Sequence, residues 1–271
     1  MKAVPVDFTI KDRYTIEDLR QIMRILRSEE GCPWDREQDH HSIRKNFIEE
    51  TYEVCEAIDS EDTALLREEL GDVLLQVVFH TQMEEERGTF NFEDVCTEIC
   101  KKLVVRHPHI FADVCVNNSS EVLRNWDAIK KREKGQQSDT QTLQSVSKAL
   151  PGLMRSAKVQ QRAARAGFDY PDEKWAMSDL RSEVDELDEA MKQGDGAHVD
   201  EELGDLLFAA VNVSRFVHVD AEEALGRACE KFIARFSKVE QLAAEQGVDM
   251  KNAPIEKLDE LWRQAKKVSN R

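Results

Sequence analysis

The sequence predicts an all-α protein built from two tandem copies of one helical module. Helix-breaking residues are scarce, with only 6 Pro and 11 Gly among 271 residues, which favours long uninterrupted helices. Hydrophobic residues make up 41% of the chain, enough to form a core, and charged residues make up 34%. The third observation is an internal repeat, because an acidic motif of the first half returns in register in the second half.

The repeat is defined by acidic positions that lie 133 residues apart. Those of the first copy are Glu50, Glu53, Glu69 and Asp72, and those of the second are Glu183, Glu186, Glu202 and Asp205. Basic and aromatic positions follow in both copies at slightly different offsets: Lys102, Arg106, Trp126 and Lys130 first, then Lys231, Arg235, Trp262 and Lys266. The sequence therefore predicts a first module over residues 1–134, a polar linker over 135–147 and a second module over 148–271.

Two predicted helices carry the acids of the first copy. One spans roughly residues 42–59, and its apolar stripe is formed by Phe47, Thr51, Val54 and Ile58. The other spans roughly 63–86, and its stripe is formed by Leu66, Leu70, Val73 and Val77. The acids flank these stripes, so antiparallel packing of the two helices would bring two i, i+3 pairs of acids together.

The second of these helices makes the stronger case for a functional site. Long apolar runs follow Asp72 and Asp205, which predicts a helix that is buried on most sides. A carboxylate entering such a helix is costly unless it is paired or binds a metal. With four carboxylates and no histidine or thiolate nearby, we expect a site for Mg²⁺, for which Mn²⁺ can substitute.

The basic and aromatic residues of the second copy suit a nucleotide. Lys231 and Arg235 are four residues apart and share one helix face, an arrangement suited to phosphate oxygens. Trp262 offers an aromatic face on which a base can stack.

Charge and composition restrict the partners. The net charge is −16, from 38 basic and 54 acidic residues, which opposes binding to nucleic acid or to an anionic membrane. No apolar run approaches the roughly 20 residues of a membrane span, and no signal-peptide core follows the N-terminus. The six cysteines contain no C-x-x-C pair, so we expect free thiols and a cytoplasmic protein.

The motifs resemble those of the MazG family of nucleoside triphosphate pyrophosphohydrolases, an all-α superfamily whose signature is EExxE followed by ExxD. Glu49, Glu50 and Glu53 with Glu69 and Asp72 fit this signature in full. Family-like text also occurs at 31–35 (GCPWD), 106–111 (RHPHIF) and 167–169 (GFD), so the resemblance covers nearly the whole chain. It implies hydrolysis of nucleoside triphosphates to monophosphate and diphosphate with broad tolerance of the base, and a homodimer that completes four-helix bundles.

The resemblance also assigns roles to residues. It implies that the second module is the main active site, where magnesium is held by Glu183, Glu186, Glu202 and Asp205 and the nucleotide by Lys231, Arg235, Trp262 and Lys266. The first module would be a possible second site with Glu49, Lys102, Arg106 and Trp126 beside its own acids. The second module departs from the signature at Ser182, which stands where the first has Glu49.

Two alternatives remain at this stage. A di-iron carboxylate bundle needs Glu-x-x-His pairs, whereas the third residue after each motif Glu is Glu or Asp. The other alternative is a helical module that binds nucleotides or a partner protein without turnover. It stays open because Ser182 replaces a signature Glu, so one site can be catalytically inactive. The chain has no Gly-rich P-loop, which speaks against a motor-type or switch-type NTPase.

Overall fold

The computed structural model describes residues 8–269, and in this range it contains thirteen helices and no strand. The prediction of an all-α protein is therefore confirmed. The chain divides into two compact units, Met1–Lys130 and Lys131–Arg271. No described helix is both long enough and apolar enough to cross a membrane.

The first unit is organised around a helical hairpin. Its helices are α1 (Ile16–Arg27), α2 (Pro33–Glu37), α3 (Arg44–Asp59), α4 (Thr63–Arg87), α5 (Phe92–Arg106), α6 (Pro108–Phe111) and α7 (Ser119–Glu133), which runs past the end of the unit. Helices α3 and α4 form the hairpin, and α1 and α5 pack on α4. Met23 of α1 and Phe79 of α4 belong to the core of this unit, together with Ile43.

The second unit repeats the hairpin. Its helices are α8 (Asp139–Gln144), α9 (Gly152–Arg165), α10 (Glu173–Gln193), α11 (Gly196–Phe216), α12 (Ala221–Glu245) and α13 (Ile255–Ser269). Helices α10 and α11 form the hairpin, α9 packs on α11 and α12, and α13 packs on α12. The segment expected as a polar linker contains α8, which packs on α9, and Val146, which is buried.

The same tight turn closes both hairpins. Asp62 caps the N-terminus of α4 by accepting from the backbone N–H groups of Ala64 and Leu65, and Asp195 caps α11 by accepting from that of Ala197. The preceding residues, Glu61 (φ 54°) and Gly194 (φ 74°), both adopt the left-handed conformation. These turn positions are also 133 residues apart, so the turn sets the same register between the acidic helices in each unit.

The buried faces of the acidic helices differ from the predicted stripes. Thr51 and Ile58 were expected on the apolar stripe of α3 but are exposed, while Glu50 and Ala57 turn inwards. On α4, Leu70 is likewise exposed, and the buried position beside it is Glu69. The stripes were wrong at these three exposed positions, because the hairpin interface buries carboxylates as well as apolar side chains. The other predicted stripe residues are partly buried: Phe47, Val54, Leu66, Val73 and Val77.

The expectation that the second acidic helix is buried on most sides is also wrong for the described chain. Leu70 and Leu74 of α4 are 52% and 40% exposed, and Leu203 and Leu207 of α11 are 45% and 48% exposed. Each of these helices therefore has one apolar face that no described part of its own unit covers.

Candidate metal and nucleotide site

The α3–α4 hairpin brings the acids of the first module together. Glu50, Glu69 and Asp72 each place one carboxylate oxygen within 4.8 Å of the others. Glu53 is exposed at the edge of this group, and it lies close enough to raise the pKa of both Glu50 and Glu69. All four acids predicted for this module therefore meet, and we call them the first acidic cluster.

Crowding of negative charge raises pKa values in the first acidic cluster. Burial is the main cause of the raised pKa of Glu50, followed by the charges of Asp72 and Glu53. The pKa of Glu69 is raised by burial first and then by Glu53 and Asp72. The largest causes of both shifts are burial and neighbouring carboxylates, and no lysine or arginine is among them, so repulsion between the acids is not offset by a strong nearby positive charge.

The α10–α11 hairpin forms a corresponding second acidic cluster, Glu183, Glu186 and Glu202, whose oxygens also lie within 4.8 Å of one another. Asp205 is exposed and stands outside this tight group. It is still close enough that its charge helps to raise the pKa of Glu183, after burial and the charges of Glu186 and Asp179. The structure thus brings three of the four predicted acids into contact range and leaves the fourth at the margin.

Neighbouring polar side chains orient the second acidic cluster. Ser182, the departure from the family signature, donates from its Oγ to Oε1 of Glu186 at 2.9 Å. His198 Nε2 is hydrogen-bonded to Oε1 of Glu202 at 3.0 Å, and the Glu202 side chain is only 12% exposed. The expectation that no histidine lies near the acids is therefore wrong for this module.

His198 and Asp179 are the neighbours that sequence reasoning missed. Each precedes a cluster acid by four residues on the same helix, Glu202 and Glu183 respectively. That spacing places side chains on one helix face, so it is the signal by which both residues are recognisable.

The basic and aromatic residues of the second module lie on α12 and α13. The rings of Trp262 and Phe232 are 5.1 Å apart, and Lys266 Nζ lies 5.9 Å from the Trp262 ring centre. Lys231 is exposed, whereas Nε of Arg235 is buried and has no hydrogen-bond partner among the described residues. Within the described residues no ion pair joins Lys231 or Arg235 to the second acidic cluster, and of the four predicted nucleotide-binding residues the structure shows only Trp262 and Lys266 in contact.

The matching residues of the first module form their own group. Arg106 and Lys130 flank the ring of Trp126 at 5.7 and 4.7 Å from its centre. Lys102 lies 3.8 Å from Glu98, one helical turn earlier, and Glu49 is exposed on α3. These cation–aromatic contacts repeat those of Trp262 and Lys266, so the duplication extends beyond the acids.

Two carboxylate clusters on matching hairpins are suited to holding hard cations. Every donor in them is a carboxylate oxygen, the ligand that Mg²⁺ and Mn²⁺ prefer. Each cluster lies where two helices face one another, which fixes the spacing of its oxygens.

Comparison with known proteins agrees with this duplication. Residues 38–111 and 172–240 match the family described as the MazG nucleotide pyrophosphohydrolase domain, and these segments contain both hairpins. The nucleoside triphosphate pyrophosphohydrolase of Escherichia coli K12 is 45% identical over 93% of this chain and 97% of its own length. A Thermotoga maritima protein named nucleoside triphosphate pyrophosphohydrolase/pyrophosphatase MazG is 44% identical, over 92% and 95%. The uncharacterized protein YabN of Bacillus subtilis is 45% identical over 93% of this chain and 52% of its own length.

Proposed function

The chain belongs to the MazG family, and from this premise we propose that it hydrolyses nucleoside triphosphates to nucleoside monophosphate and diphosphate. The observation that carries the proposal is the pair of carboxylate clusters on the two matched hairpins. The names of the Escherichia coli and Thermotoga maritima relatives describe the same activity.

We propose magnesium as the cofactor. Support comes from the donor set, which is carboxylate only, and from the raised pKa values of Glu50, Glu69 and Glu183, since a cation relieves such crowding. In the second module Glu183, Glu186 and Glu202 would hold the ion, with Asp205 at the margin. When bound, Mg²⁺ lowers the pKa of a water molecule and neutralises charge on the triphosphate.

The other residues of the second module orient the carboxylates or bind the phosphates of the substrate. Ser182 and His198 hold the carboxylates of Glu186 and Glu202 in fixed orientations, so Ser182 supports the second site in spite of its departure from the signature. Lys231 and Arg235 are proposed to bind the phosphates. Their spacing of four residues on one face of α12 supports this role, and Lys231 is exposed.

We propose that the protein works as a homodimer. The support is the apolar face of each second acidic helix, represented by Leu70 and Leu74 on α4 and by Leu203 and Leu207 on α11. Contiguous apolar surface of this kind marks association sites in soluble proteins. Light scattering after size exclusion should give twice the chain mass of 31.1 kDa, and a monomer at micromolar concentration would contradict the proposal.

The function is tested by measuring diphosphate and phosphate released from nucleoside triphosphates in Mg²⁺ and after chelation. Glu202→Gln should remove most turnover, whereas Glu201→Gln, an exposed neighbour outside the cluster, should keep it. Glu69→Gln should leave a large share of turnover, with exposed Glu68→Gln as its control. Full activity in excess chelator with no retained metal would contradict the metal proposal, and the reverse ranking of Glu202 and Glu69 would make the first module the enzyme.

A further inference from the structure

Two histidines meet beside the α3–α4 hairpin. His40 lies four residues before the start of α3, and His80 lies on α4. Their Nδ1 atoms are 2.7 Å apart. The two rings are parallel within 2° and their centres are 4.9 Å apart, close to the greatest separation that this N···N contact permits. The rings therefore meet edge to edge, with both Nδ1 atoms in line between the ring centres. We call these two residues the histidine pair.

A carboxylate fixes the proton on the far side of the His40 ring. His40 Nε2 lies 2.6 Å from Oε1 of Glu84. The pKa of Glu84 is lowered to about 2, first by its hydrogen bond from Thr89 and then by that from His40. Glu84 is therefore ionised at every pH at which a histidine titrates. Because an ionised carboxylate only accepts, Nε2 of His40 must donate, and the contact with His80 is left to Nδ1 of His40.

A proton, and not a metal ion, accounts for the distance within the histidine pair. Two imidazole nitrogens bound in line to one ion at about 2.0–2.1 Å each would lie about 4 Å apart. The observed separation of 2.7 Å is that of a hydrogen bond. One Nδ1 atom must therefore carry a hydrogen while the other lacks one.

The number of protons on the histidine pair decides whether this contact can exist. In the neutral pair, Nδ1–H of His80 donates to the bare Nδ1 of His40. One added proton keeps the contact, because one of the two Nδ1 atoms can still lack a hydrogen. A second added proton puts a hydrogen on both Nδ1 atoms, which removes the acceptor and brings two cationic rings together. The contact therefore exists with no added proton or one, and is lost with two.

Burial opposes the second proton. The pKa of His80 is lowered, first by burial and then by the charge of His40. No carboxylate is among the causes that shift this pKa. The neighbouring ring from α3 is that of Phe47, which stands edge-on to His80 with its centre 5.9 Å away and offers no counter-charge. Glu84 compensates a charge on His40, whereas a charge on His80 has no such compensation among these contacts.

The other charged groups on the elements packed around α4 are paired elsewhere or exposed. The pairs are Arg87 with Glu84 on α4, Arg24 with Glu85 and Arg27 with Glu86 between α1 and α4, and Arg20 with Glu93 between α1 and α5. On α3, Arg44 and Lys45 are exposed. In segment 38–43, Asp39 and His41 are exposed, and Asp39 accepts from the backbone N–H of His41. Of these groups only His41 titrates in the pH range of the histidine pair, so it is the natural control.

The contact holds a segment that leads into the first acidic cluster. Residues 38–43 join α2 to α3 without forming a helix. Arg27 of α1 donates to the backbone carbonyl oxygen of Gln38 at 3.2 Å at one end. Ile43 at the other end is 3% exposed and packs in the core, and Glu50 follows on α3. His40 is the side chain that binds the middle of this segment to α4.

We propose that the histidine pair is an acid-sensitive contact, which holds segment 38–43 on α4 with no added proton or one and releases it when a second proton binds. The proposal does not depend on the proposed hydrolysis. Because the pKa of His80 in the folded protein lies below its ordinary 6.5, the stability that the contact provides is complete above about pH 6.5. It is lost as the pH falls from there through the folded pKa.

The test is hydrogen–deuterium exchange of backbone amides in full-length protein at about pH 7.5 and about pH 5.5, on either side of the ordinary histidine pKa. Chelator is present, so that metal binding to the acidic clusters does not vary, and rates are corrected for the intrinsic effect of pH. Exchange in segment 38–43 should accelerate by roughly fivefold to tenfold at the lower pH, about the loss of one hydrogen bond. Exchange in α1 should not accelerate.

Two variants separate the histidine pair from other effects of acid. His80→Gln keeps a side chain that can donate to or accept from His40 and does not titrate, so the acceleration should vanish. His41→Gln removes an exposed histidine from the same segment and should accelerate as wild type does. If His80→Gln does not fold, His40→Gln is measured in its place with the same expectation, because one histidine alone cannot form the doubly protonated pair.

The proposal is overturned if exchange of the wild-type segment does not respond to pH, or if α1 accelerates equally. It is also overturned if the acceleration persists in His80→Gln, or in the His40→Gln protein that replaces it, or if His41→Gln abolishes it. None of these outcomes involves release of diphosphate, so this proposal and the proposed function fail separately.

Discussion

Neutralising one carboxylate of the second acidic cluster should stabilise the metal-free protein while abolishing its response to magnesium. In Glu202→Gln the carboxamide oxygen can still accept from His198, so the hydrogen bond is kept and a negative charge is removed. Two carboxylate charges at 4.8 Å repel by about 3.5 kcal/mol at an effective dielectric of 20 and by about 0.9 kcal/mol in water. Because Glu186 is exposed and Glu202 is mostly buried, we expect a gain of about 1–2 kcal/mol.

The assay is thermal unfolding followed by circular dichroism, first in chelator and then in a magnesium titration. The gain should raise the midpoint of the metal-free protein by roughly 2–8 °C, at about 2–4 °C per kcal/mol. Wild type should gain stability as magnesium rises, whereas Glu202→Gln should not. Glu201→Gln should behave as wild type in both conditions. A metal-free Glu202→Gln protein that melts lower than wild type, or one that keeps the full magnesium response, would refute the charge-crowding argument.

Further outcomes follow from other features. Burial raises the pKa of Glu183 above its ordinary 4.5, so its protonated form stabilises the metal-free fold below about pH 4.5, and this contribution is lost as pH rises through the folded pKa. The increase in melting temperature caused by magnesium should therefore grow with pH above about 4.5. An increase that is constant from pH 4 to 8 would contradict this prediction. Glu61→Gly should stabilise the first hairpin by about 0.5–1 kcal/mol and Gly194→Ala should destabilise the second by about 1 kcal/mol in urea unfolding, because both positions are left-handed. A loss of stability in Glu61→Gly, or a gain in Gly194→Ala, would contradict the turn assignment. Ser182→Ala should lower kcat several-fold, and Ser182→Thr, which keeps the hydroxyl, should restore it; no change in either would leave Glu186 independent of this bond. A panel of ribo- and deoxyribonucleoside triphosphates should vary in kcat/KM within roughly 100-fold, and a preference of several thousand-fold would contradict base tolerance.

The helical hairpins and their acids could be predicted from the sequence because the same motif occurs in both halves of the chain. Glu50 and Glu69 recur 133 residues later as Glu183 and Glu202, which predicts that the acids occupy equivalent helix positions in both copies. Scarce prolines and glycines, and the cap at Asp62, place the helix ends. These signals are local or repeated, so they can be recognised without knowing the tertiary packing.

The buried faces of the acidic helices, and a cavity between α9, α10 and α11, could not be predicted in the same way. Periodicity alone placed Ile58 on the inner face of α3, whereas in the hairpin Ile58 is exposed and Glu50 is partly buried. A small rotation of the helix about its axis changes which residues face the neighbouring helix, and only tertiary packing determines that rotation. Gln160 lies on α9 and Asn212 on α11, and neither residue belongs to a motif that the sequence repeats. Only the packing of α9 against α11 makes them neighbours across one cavity.

The central claim is that the second acidic cluster is a magnesium-dependent site for cleaving triphosphates. The most direct measurement is quantification of diphosphate released from a nucleoside triphosphate by wild type, Glu202→Gln and Glu201→Gln, with Mg²⁺ and with excess chelator. We predict one diphosphate per monophosphate formed by wild type and Glu201→Gln in Mg²⁺, and loss of most turnover in Glu202→Gln and in chelator. Release of phosphate with nucleoside diphosphate, or unchanged turnover in Glu202→Gln, would contradict the account.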